Sequence, residues 1–511
     1  MQLIMKQIIK YSFFLTIVLF AASCDKGFDD LNTNKVNPTA IDPLYQLNNA
    51  VVNAAFPAST ALAYDMGVVQ QIISPNNGVL NGANFNSDNR GNTQVIWQNY
   101  YRNVIRNTND VIVKTKSDAG RANLYQMARI FQAYAYMVLT DEYGDIPYTE
   151  GGKGYTDQNF FPVYDAQQSI YTDIIKELGE AATALNAAGK IETGDILYGG
   201  VVAQWKKFAY SLLLRAGMRL SKADAAKAQS TVQAAVTGGV ILLNADNALI
   251  RHDANYTNPI GGTLNSTEAA NFYLTKPFVD SLKNRNDPRL PAIAVRYVGA
   301  TSGGTQTTAS RTTDPSFQVG LPLGFDNNGA NAYAVSIGLK SFYDFSQADR
   351  TRIANDKTAP CFLVTAAQTQ LLLAEARQRG WITTGTVQGY YDAGVTLHMQ
   401  QMASYHPGSA IAASDITTYL TSNPFDPAKA LEQIGTQYWI ASFLNGPEAF
   451  ANYRRTGFPA LAPNPYPGKE VAFINRLTYP NSEQSVNPTN LNVAISRQGP
   501  DKLDTKVWWN K

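Results

Sequence analysis

The chain is poor in the residues that most often carry metal-binding and nucleophilic chemistry. Its 511 residues include 2 Cys and 3 His. The histidines, His252, His398 and His406, include no pair at the four-residue spacing with which one helix face binds zinc. We therefore expect no such zinc site. Two cysteines also exclude a disulfide-rich scaffold, so stability has to come from a large hydrophobic core.

Charge is scarce as well. Charged residues make up 16% of the chain, the net charge is +2, and no run of Lys and Arg forms a basic stripe. Nucleic acid is therefore not expected as a partner. Uncharged polar residues take the place of charges, Asn above all, beside 28 Tyr and 6 Trp. Amides and aromatic rings suit neutral polar ligands such as sugars, although secreted proteins are often rich in these residues without binding one.

Catalytic motifs are missing. There is neither a G-x-S-x-G elbow nor a phosphate loop of the G-x-x-x-x-G-K-S/T type. The acidic run 141–145 could supply the two carboxylates of a glycosidase, from Asp141 with Glu142 or Asp145. We favour a structural interpretation, in which Gly144 ends a helix and Asp145 bonds to the following backbone.

The polar stretch 326–329, Asp-Asn-Asn-Gly, is a candidate metal-binding site. Its oxygen atoms could hold calcium, but it lacks the alternating ligands of an EF-hand loop. We favour a plain Asn-Gly turn, and the sequence predicts no cofactor.

Long apolar runs are absent too. The run 11–20 is shorter than the roughly 20 residues that span a bilayer. It follows Lys6 and Lys10 and leads through small residues to Cys24, which is the pattern of a bacterial lipoprotein signal. We predict a signal peptide at 1–23, lipid attachment at Cys24, and a flexible leader over 24–43 that ties the protein to a membrane through acyl chains. An ordinary secretory signal with an incidental cysteine is the alternative.

If Cys24 carries lipid, Cys361 has no disulfide partner. It lies in the apolar stretch 361–364, Cys-Phe-Leu-Val, and is predicted to behave as a small buried hydrophobic residue.

Apolar residues at three- and four-residue spacing predict helices that pair as hairpins. The pairs are 93–116 with 124–139, 165–188 with 198–221, 365–379 with 386–402, and 428–444 with 448–454. Hairpins in which large aromatic residues face alanines are typical of tetratricopeptide-type repeats. We predict a mainly α fold with a tetratricopeptide-like helix-hairpin scaffold, an irregular loop-rich subdomain and a few short strands.

A single domain is predicted over 44–511, with the loop-rich insertion at about 240–345. Gly, Asn, Thr and Tyr dominate this insertion, and loops of such length are usually functional or disordered. Weak strands are predicted at 239–243 and 292–298.

Seven motifs in order resemble those of the SusD/RagB-like lipoproteins. They are YGDIPYTE at 143–150, LLLR at 212–215 with MRLS at 218–221, DPRL at 287–290, LLLAEA at 371–376 with RGW at 379–381, NYRRTGFP at 452–459, RLTYP at 476–480 and VWW at 507–509. The resemblance extends from Cys24 to Trp509. It is closest to the SusD-like branch described as starch-binding and associated with the outer membrane.

The resemblance implies a surface-exposed lipoprotein of the outer membrane of Bacteroidota-type bacteria. Such proteins bind a glycan or peptide nutrient and deliver it to a SusC-like TonB-dependent barrel, and they are not enzymes. Within the motifs, we interpret Arg219, Arg289, Glu375 and Arg455 as members of buried ion pairs that hold hairpins together.

Ligand contacts are predicted in three polar loops, where function usually lies. The candidates are Asn76, Asn77, Phe85, Asn89 and Arg90 in the first loop, Tyr256 and Asn265 in the second, and Tyr333 in the third. Trp97, beside two tyrosines on a helix, is predicted to be core. Two other functions stay open: a lipid-anchored glycoside hydrolase, and a tetratricopeptide-type adaptor for protein partners.

Overall fold

The computed structural model describes Met1, Ile4, Met5, residues 41–466, Val471 and residues 473–511. The chain divides into the units Met1–Asp42 and Pro43–Lys511. In the first unit the described residues are exposed. Cys24, with most of the predicted signal peptide and leader, lies outside the described residues. No helix among the described residues combines the length and apolarity needed to cross a bilayer.

Helices form most of the second unit. They are α1 (Pro43–Asn53), α2 (58–68), α3 (90–115), α4 (Ala122–Tyr143), α5 (Gln167–Ala184), α6 (Val202–Arg219), α7 (Ala225–Gly238), α8 (Pro259–Leu264), α9 (Lys276–Lys283), α10 (Arg289–Ile293), α11 (Asn327–Ser336), α12 (Ala366–Gln378), α13 (Val387–Gln401), α14 (Ala413–Ser422), α15 (Ala430–Ala441), α16 (Gly446–Thr456), α17 (Asn481–Val486) and α18 (Pro488–Gln498). Both α2 and α3 contain a π-helical segment, at Ala61–Asp65 and Tyr100–Ile105.

Helices that follow one another along the chain pack together. This holds for α3 with α4, α5 with α6, α12 with α13, and α15 with α16, which confirms the predicted helix pairs. The mainly α, tetratricopeptide-like fold is therefore as predicted. The helix α7, which packs on α6, was not predicted from residue spacing. Its buried side chains are small, Ala228, Thr231, Val232 and Ala235, so its apolar periodicity is weak.

The strands in the described part are short: β1 (Ile72–Ile73), β2 (Ala248–Ile250), β3 (Tyr273–Leu274), β4 (Ala294–Tyr297), β5 (Arg311–Thr312), β6 (Gln347–Ala348) and β7 (Cys361–Val364). They pair antiparallel as β1–β3, β2–β7 and β5–β4–β6. The strand predicted at 292–298 is confirmed by β4. The strand predicted at 239–243 is wrong, because the N–H of Ile241 donates to the Ser211 hydroxyl at 2.8 Å and the neighbouring strand begins at Ala248.

The two largest hydrophobic cores in the described part of the chain hold the helices and loops in place. The larger one runs through the helix pairs and includes Trp97 and Cys361, as predicted for both. A smaller core is built from Leu321, Phe342, Phe345 and neighbouring residues of 321–345, joined by Ile73 and Tyr273. The smaller core therefore fixes the segment 321–345 against the start of the first predicted ligand loop. The bounds 240–345 for the loop-rich subdomain remain a prediction.

Buried ion pairs connect distant helices at three of the four motif residues, Arg219, Glu375 and Arg455, as predicted; the ion pair of Arg289 is buried but local. Arg455 on α16 donates to both oxygens of Glu375 on α12, at 2.6 and 2.5 Å. Arg219 on α6 pairs with Asp141 at 3.1 Å and with Glu448 at 2.6 Å.

The fourth motif residue, Arg289, pairs with Asp287 at 2.5 Å and donates to His398 Nδ1 at 3.1 Å. His398 is buried, and burial together with the nearby Arg289 charge lowers its pKa well below the usual value. It is therefore a structural histidine that stays neutral.

Candidate ligand-binding surface

The loop 74–92 leaves β1 and is held in one conformation by its own polar side chains. Asn89 donates from Nδ2 to the carbonyl oxygens of Val79, at 3.3 Å, and Asn81, at 3.1 Å. Arg90 donates to the carbonyl of Tyr479 at 2.9 Å and to Asp501 at 2.8 Å. Two of the predicted ligand residues therefore anchor the loop to itself and to the C-terminal part of the chain.

Asn84 joins this loop to the third predicted ligand loop. Its side chain is buried; Nδ2 donates to the carbonyls of Ser74 at 2.9 Å and Phe325 at 3.0 Å. Its Oδ1 accepts from the N–H of Gly324 at 3.2 Å. A single amide thus satisfies backbone groups of both loops, which fixes their relative position.

A third segment, 462–466, closes the other side of the loop 74–92. Asn464 donates to the carbonyl of Ala83 at 2.7 Å, and Gln70 donates to that of Ala462 at 2.6 Å. The ring of Tyr466 meets Phe85 edge to face, with centroids 4.8 Å apart. Phe85 is only 3% exposed, so its ring holds this segment in place instead of facing solvent.

We call the combined surface of residues 74–92, 324–336 and 464–466 the loop face. Within it Tyr333 stacks on Phe325 with ring centroids 5.5 Å apart, and both rings are half-buried. The Tyr333 hydroxyl makes no hydrogen bond to any described residue. Asn77 is exposed and Asn76 half-buried on the neighbouring loop. Further exposed amides come from Asn327, Asn328 and Asn331.

This arrangement offers half-exposed rings beside several exposed amides. Rings present a flat apolar face and amides present paired donors and acceptors, which is the combination that binds an uncharged polar ligand. Beside it, Asn89 and Arg90 line a shallow depression of about 580 Å³ together with Val79 and Asn481. No group of three or more His, Cys, Asp or Glu residues placed to hold a metal occurs in the described part of the chain.

The two residues predicted in the second loop, Asn265 and Tyr256, make no contact with the loop face among the hydrogen bonds and ring contacts of the described residues. Asn265 donates to the carbonyls of Gly261 at 3.0 Å and Arg350 at 3.3 Å. Tyr256 is 61% exposed, and no hydrogen bond or ring contact among the described residues links it to the loop face. The loop face instead includes Asn464 and Tyr466, which were not predicted from the sequence. The sequence feature that could have indicated them is an aromatic residue between prolines, in the stretch 463–467.

The acidic run at the end of α4 is buried. Asp141 accepts from the Trp509 indole at 2.9 Å and pairs with Arg219, and Glu142 is fully buried. Asp145 accepts from the N–H of Gln167 at 2.8 Å at the start of α5, and burial raises its pKa. Gly144 ends α4 with a φ of +83°. The run is therefore structural and Gly144 ends the helix as predicted, but Asp145 bonds to the backbone of the distant Gln167 and pairs with Arg497 at 2.6 Å.

The stretch 326–329 differs from its prediction. Asn327, Asn328 and Gly329 form the first turn of α11, and Asp326 caps that helix by accepting from the N–H of Gly329 at 2.8 Å. The prediction of a plain Asn-Gly turn is wrong, because the side chain of Asp326 stabilises a helix N-terminus at this position.

Comparison with known proteins agrees with this fold. A family model described as "SusD-like, starch-binding associating with outer membrane" matches residues 35–480. Among solved structures, a chitin-binding protein shares 29% identity with a TM-score of 0.80, covering 92% of this chain and 100% of that one. A SusD-like protein of Bacteroidetes AC2a shares 26% identity with a TM-score of 0.79 over the same shares.

A SusD homologue of Bacteroides uniformis shares 26% identity with a TM-score of 0.71, covering 91% of this chain and 99% of that one. No curated protein sequence gives a significant match. The family model covers most of the chain, and the motifs on α6, α12 and α16 lie within the paired helices. The chain therefore belongs to the SusD-like family of starch-binding proteins that associate with the outer membrane.

Proposed function

We propose that this protein binds an oligosaccharide nutrient at the loop face. The observation that carries the proposal is the bridge made by Asn84, which ties the loop that bears the exposed Asn77 to the segment that bears the stacked pair Phe325 and Tyr333. A pyranose stacks its apolar face on a ring while its hydroxyls bond to amides. Because the loops are fixed before binding, little conformational entropy is lost when the ligand arrives.

The class of ligand is supported by the comparisons. The family description names starch, and the structural neighbour at 29% identity is a chitin-binding protein. We therefore propose a neutral glycan of glucose or N-acetylglucosamine units as the first class to test. A peptide ligand is the alternative, and it would make this part of the proposal wrong.

Binding without cleavage is the second part of the proposal. A glycosidase needs two carboxylates that reach the sugar bond from opposite sides. Asp141, Glu142 and Asp145 are each at most 4% exposed, and Asp141 and Asp145 are engaged by partners inside the protein. They are therefore badly placed to act on a bound glycan.

The cellular setting is the third part. We propose that acyl chains on Cys24 hold the protein on the outer face of the outer membrane, and that it delivers glycan to a SusC-like TonB-dependent barrel. Support comes from the lipoprotein signal pattern at 11–24 and from the outer-membrane association in the family description. Detergent extraction followed by pull-down should recover a large TonB-dependent barrel. Recovery of the protein in the aqueous fraction with an unmodified Cys24 would contradict the anchor.

The binding site is tested with the full-length protein in detergent against soluble starch and chitin oligosaccharides. The variant combines Asn77→Ala with Tyr333→Phe, which removes an amide and a hydroxyl but keeps the stacked ring. We expect its Kd to rise about 30-fold, since each of the two lost hydrogen bonds contributes roughly 1 kcal/mol and every 1.4 kcal/mol is a factor of about ten. Asn492→Ala with Tyr155→Phe is the matched control, since both residues are exposed and neither belongs to the segments that form the loop face.

If the loop-face variant binds the oligosaccharide with wild-type affinity, the binding site does not lie on this surface. If the wild-type protein cleaves the glycan and Asp145→Asn does not, the protein is a hydrolase and the proposal of binding without cleavage is wrong.

A further inference from the structure

A groove lies between α1 and the segment that follows β2, away from the contacts of the loop face. Its volume is about 590 Å³, which is in the range of pockets that bind small ligands. It is lined by Tyr45, Asn48, Asn49 and Val52 of α1, by Ile196, and by Ile250, Arg251, Asp253 and Tyr256.

Two exposed tyrosines lie along the groove. Tyr45 is 64% exposed and Tyr256 is 61% exposed, and neither hydroxyl makes a hydrogen bond to a described residue. Tyr45 lies off the apolar stripe of α1, whose buried residues are Leu44, Leu47, Ala50 and Val51. The ring of Tyr45 therefore adds nothing to the core and is free to contact a ligand.

The groove is built before any ligand binds. On one wall, Asn48 donates to the carbonyl of Gly194 at 2.8 Å and accepts from the N–H of Ile196 at 3.2 Å. On the other, Asp253 accepts from the N–H of Tyr256 at 2.8 Å, and His252 Nδ1 lies 2.9 Å from the Tyr256 carbonyl. These bonds hold the backbone on which Tyr256 stands.

The polar residues that line the groove restrict the class of ligand that it can bind. Arg251 and Asp253 bring one charge of each sign, so the groove carries no net charge for an ionic ligand. The side-chain nitrogen of Asn49 has no acceptor among the described residues, and its oxygen accepts from Asn53 at 3.1 Å. A purely apolar ligand would cover these charged groups without pairing them, which is unfavourable. The uncharged hydroxyls of a sugar can instead form hydrogen bonds with both charged side chains and with the Asn49 amide.

We propose that this groove is a second saccharide-binding subsite, in which a neutral sugar lies against Tyr45 and Tyr256. The inference rests on the proposed function, because it assumes that the protein's ligand is a glycan. A long glycan that occupies both this groove and the loop face, or two chains that occupy one each, would raise the overall affinity of the protein for polysaccharide.

Affinity electrophoresis of the full-length protein in detergent, in gels that contain amylopectin or glycol chitin, tests the groove. The variant is Tyr45→Ala with Tyr256→Ala. We expect its dissociation constant for the retained polysaccharide to rise about tenfold, as for the loss of two modest stacking contacts. Tyr155→Ala with Phe160→Ala removes two rings that are 88% and 67% exposed elsewhere, and this control should keep wild-type retention.

The outcomes separate the two proposals. If the wild-type protein is retained and the groove variant migrates like it, the groove is not a subsite, while the proposed function stands. If the wild-type protein is retained by neither polysaccharide, both proposals are wrong for these glycans. Unchanged thermal unfolding of the groove variant shows that its loss of retention comes from the groove, since both tyrosines are exposed.

Discussion

Replacing Asp65 by asparagine should remove part of the pH dependence of folding stability. Asp65 lies in the π-helical segment of α2 and Glu142 at the end of α4, and both are fully buried. Neither carboxylate has a hydrogen-bond partner among the described residues, and Nη2 of the neighbouring Arg454 is also unpaired. Two buried acids therefore share one arginine, and burial makes it unfavourable to hold both carboxylates ionised.

Burial raises the pKa of Asp65 from 3.8 to about 8, against the opposing charge of Arg454. Burial, and then the charge of Asp65, raises the pKa of Glu142 well above its usual value. The folded protein thus keeps a proton on Asp65 that the unfolded chain releases above about pH 4. Stability is therefore greatest below the unfolded pKa and falls as the pH rises towards the folded pKa.

The magnitude follows from proton linkage. One retained proton changes the free energy of unfolding by about 1.4 kcal/mol per pH unit. Between pH 5 and pH 7 the contribution of Asp65 is therefore a loss of roughly 2.7 kcal/mol. Groups away from Asp65 titrate too, but they contribute equally to the wild-type protein and to Asp65→Asn, so they cancel in the difference between the two. That difference therefore reports on Asp65 together with Glu142, whose pKa depends on Asp65.

The assay is urea unfolding at pH 5, 6 and 7. We expect Asp65→Asn to have a flatter pH profile than the wild-type protein and a gain in relative stability as the pH rises. Asp195→Asn is the matched control. Asp195 is buried too, but its oxygens accept from the N–H groups of Leu197, Tyr198 and Gly200 and from the Trp205 indole. This control should be less stable at each pH. Parallel pH profiles for the wild-type protein and Asp65→Asn would refute the reasoning.

Three further predictions concern the scaffold. Glu375→Gln should lower the free energy of unfolding by about 3–5 kcal/mol in urea titrations, because it leaves Arg455 buried without its charge partner; an unchanged midpoint would contradict this. The thiol of Cys361 should not react with an aromatic disulfide reagent until the protein unfolds, because it is buried and its pKa is raised to about 12; rapid labelling of native protein would be inconsistent with that burial. Gly144→Ala should lower the thermal midpoint, because the residue has a φ of +83° and a Cβ there would collide with the side chain of Gln498; calorimetry that shows no change would argue against this backbone geometry.

Much of the scaffold could be predicted because its pattern is local. Large apolar residues at three- and four-residue spacing mark most of the helix pairs, and glycine and proline mark several of their ends. The helix α7 was missed because alanine and threonine bury little surface and give a weak pattern. The strand at 239–243 was wrongly predicted because a short apolar run does not show which backbone groups it will bond.

The candidate site was harder to predict because it depends on contacts between distant segments. Spacing could not show that Phe85 packs on Tyr466, or that Asn84 bonds to the backbone at Phe325. Nor could it show that Tyr256 shares a groove with Tyr45. Composition indicated which loops are polar and aromatic. Only the fold shows which of their side chains bond to other residues of the protein and which stay exposed and can contact a ligand.

Hydrogen–deuterium exchange of the full-length protein, with and without a starch or chitin oligosaccharide that it binds, tests the loop face most directly. Slower exchange in peptides that cover residues 76–81 and 325–336 is the predicted result, because a bound sugar would shield and rigidify both loops. Saturating glycan that leaves exchange in both segments unchanged would contradict the account.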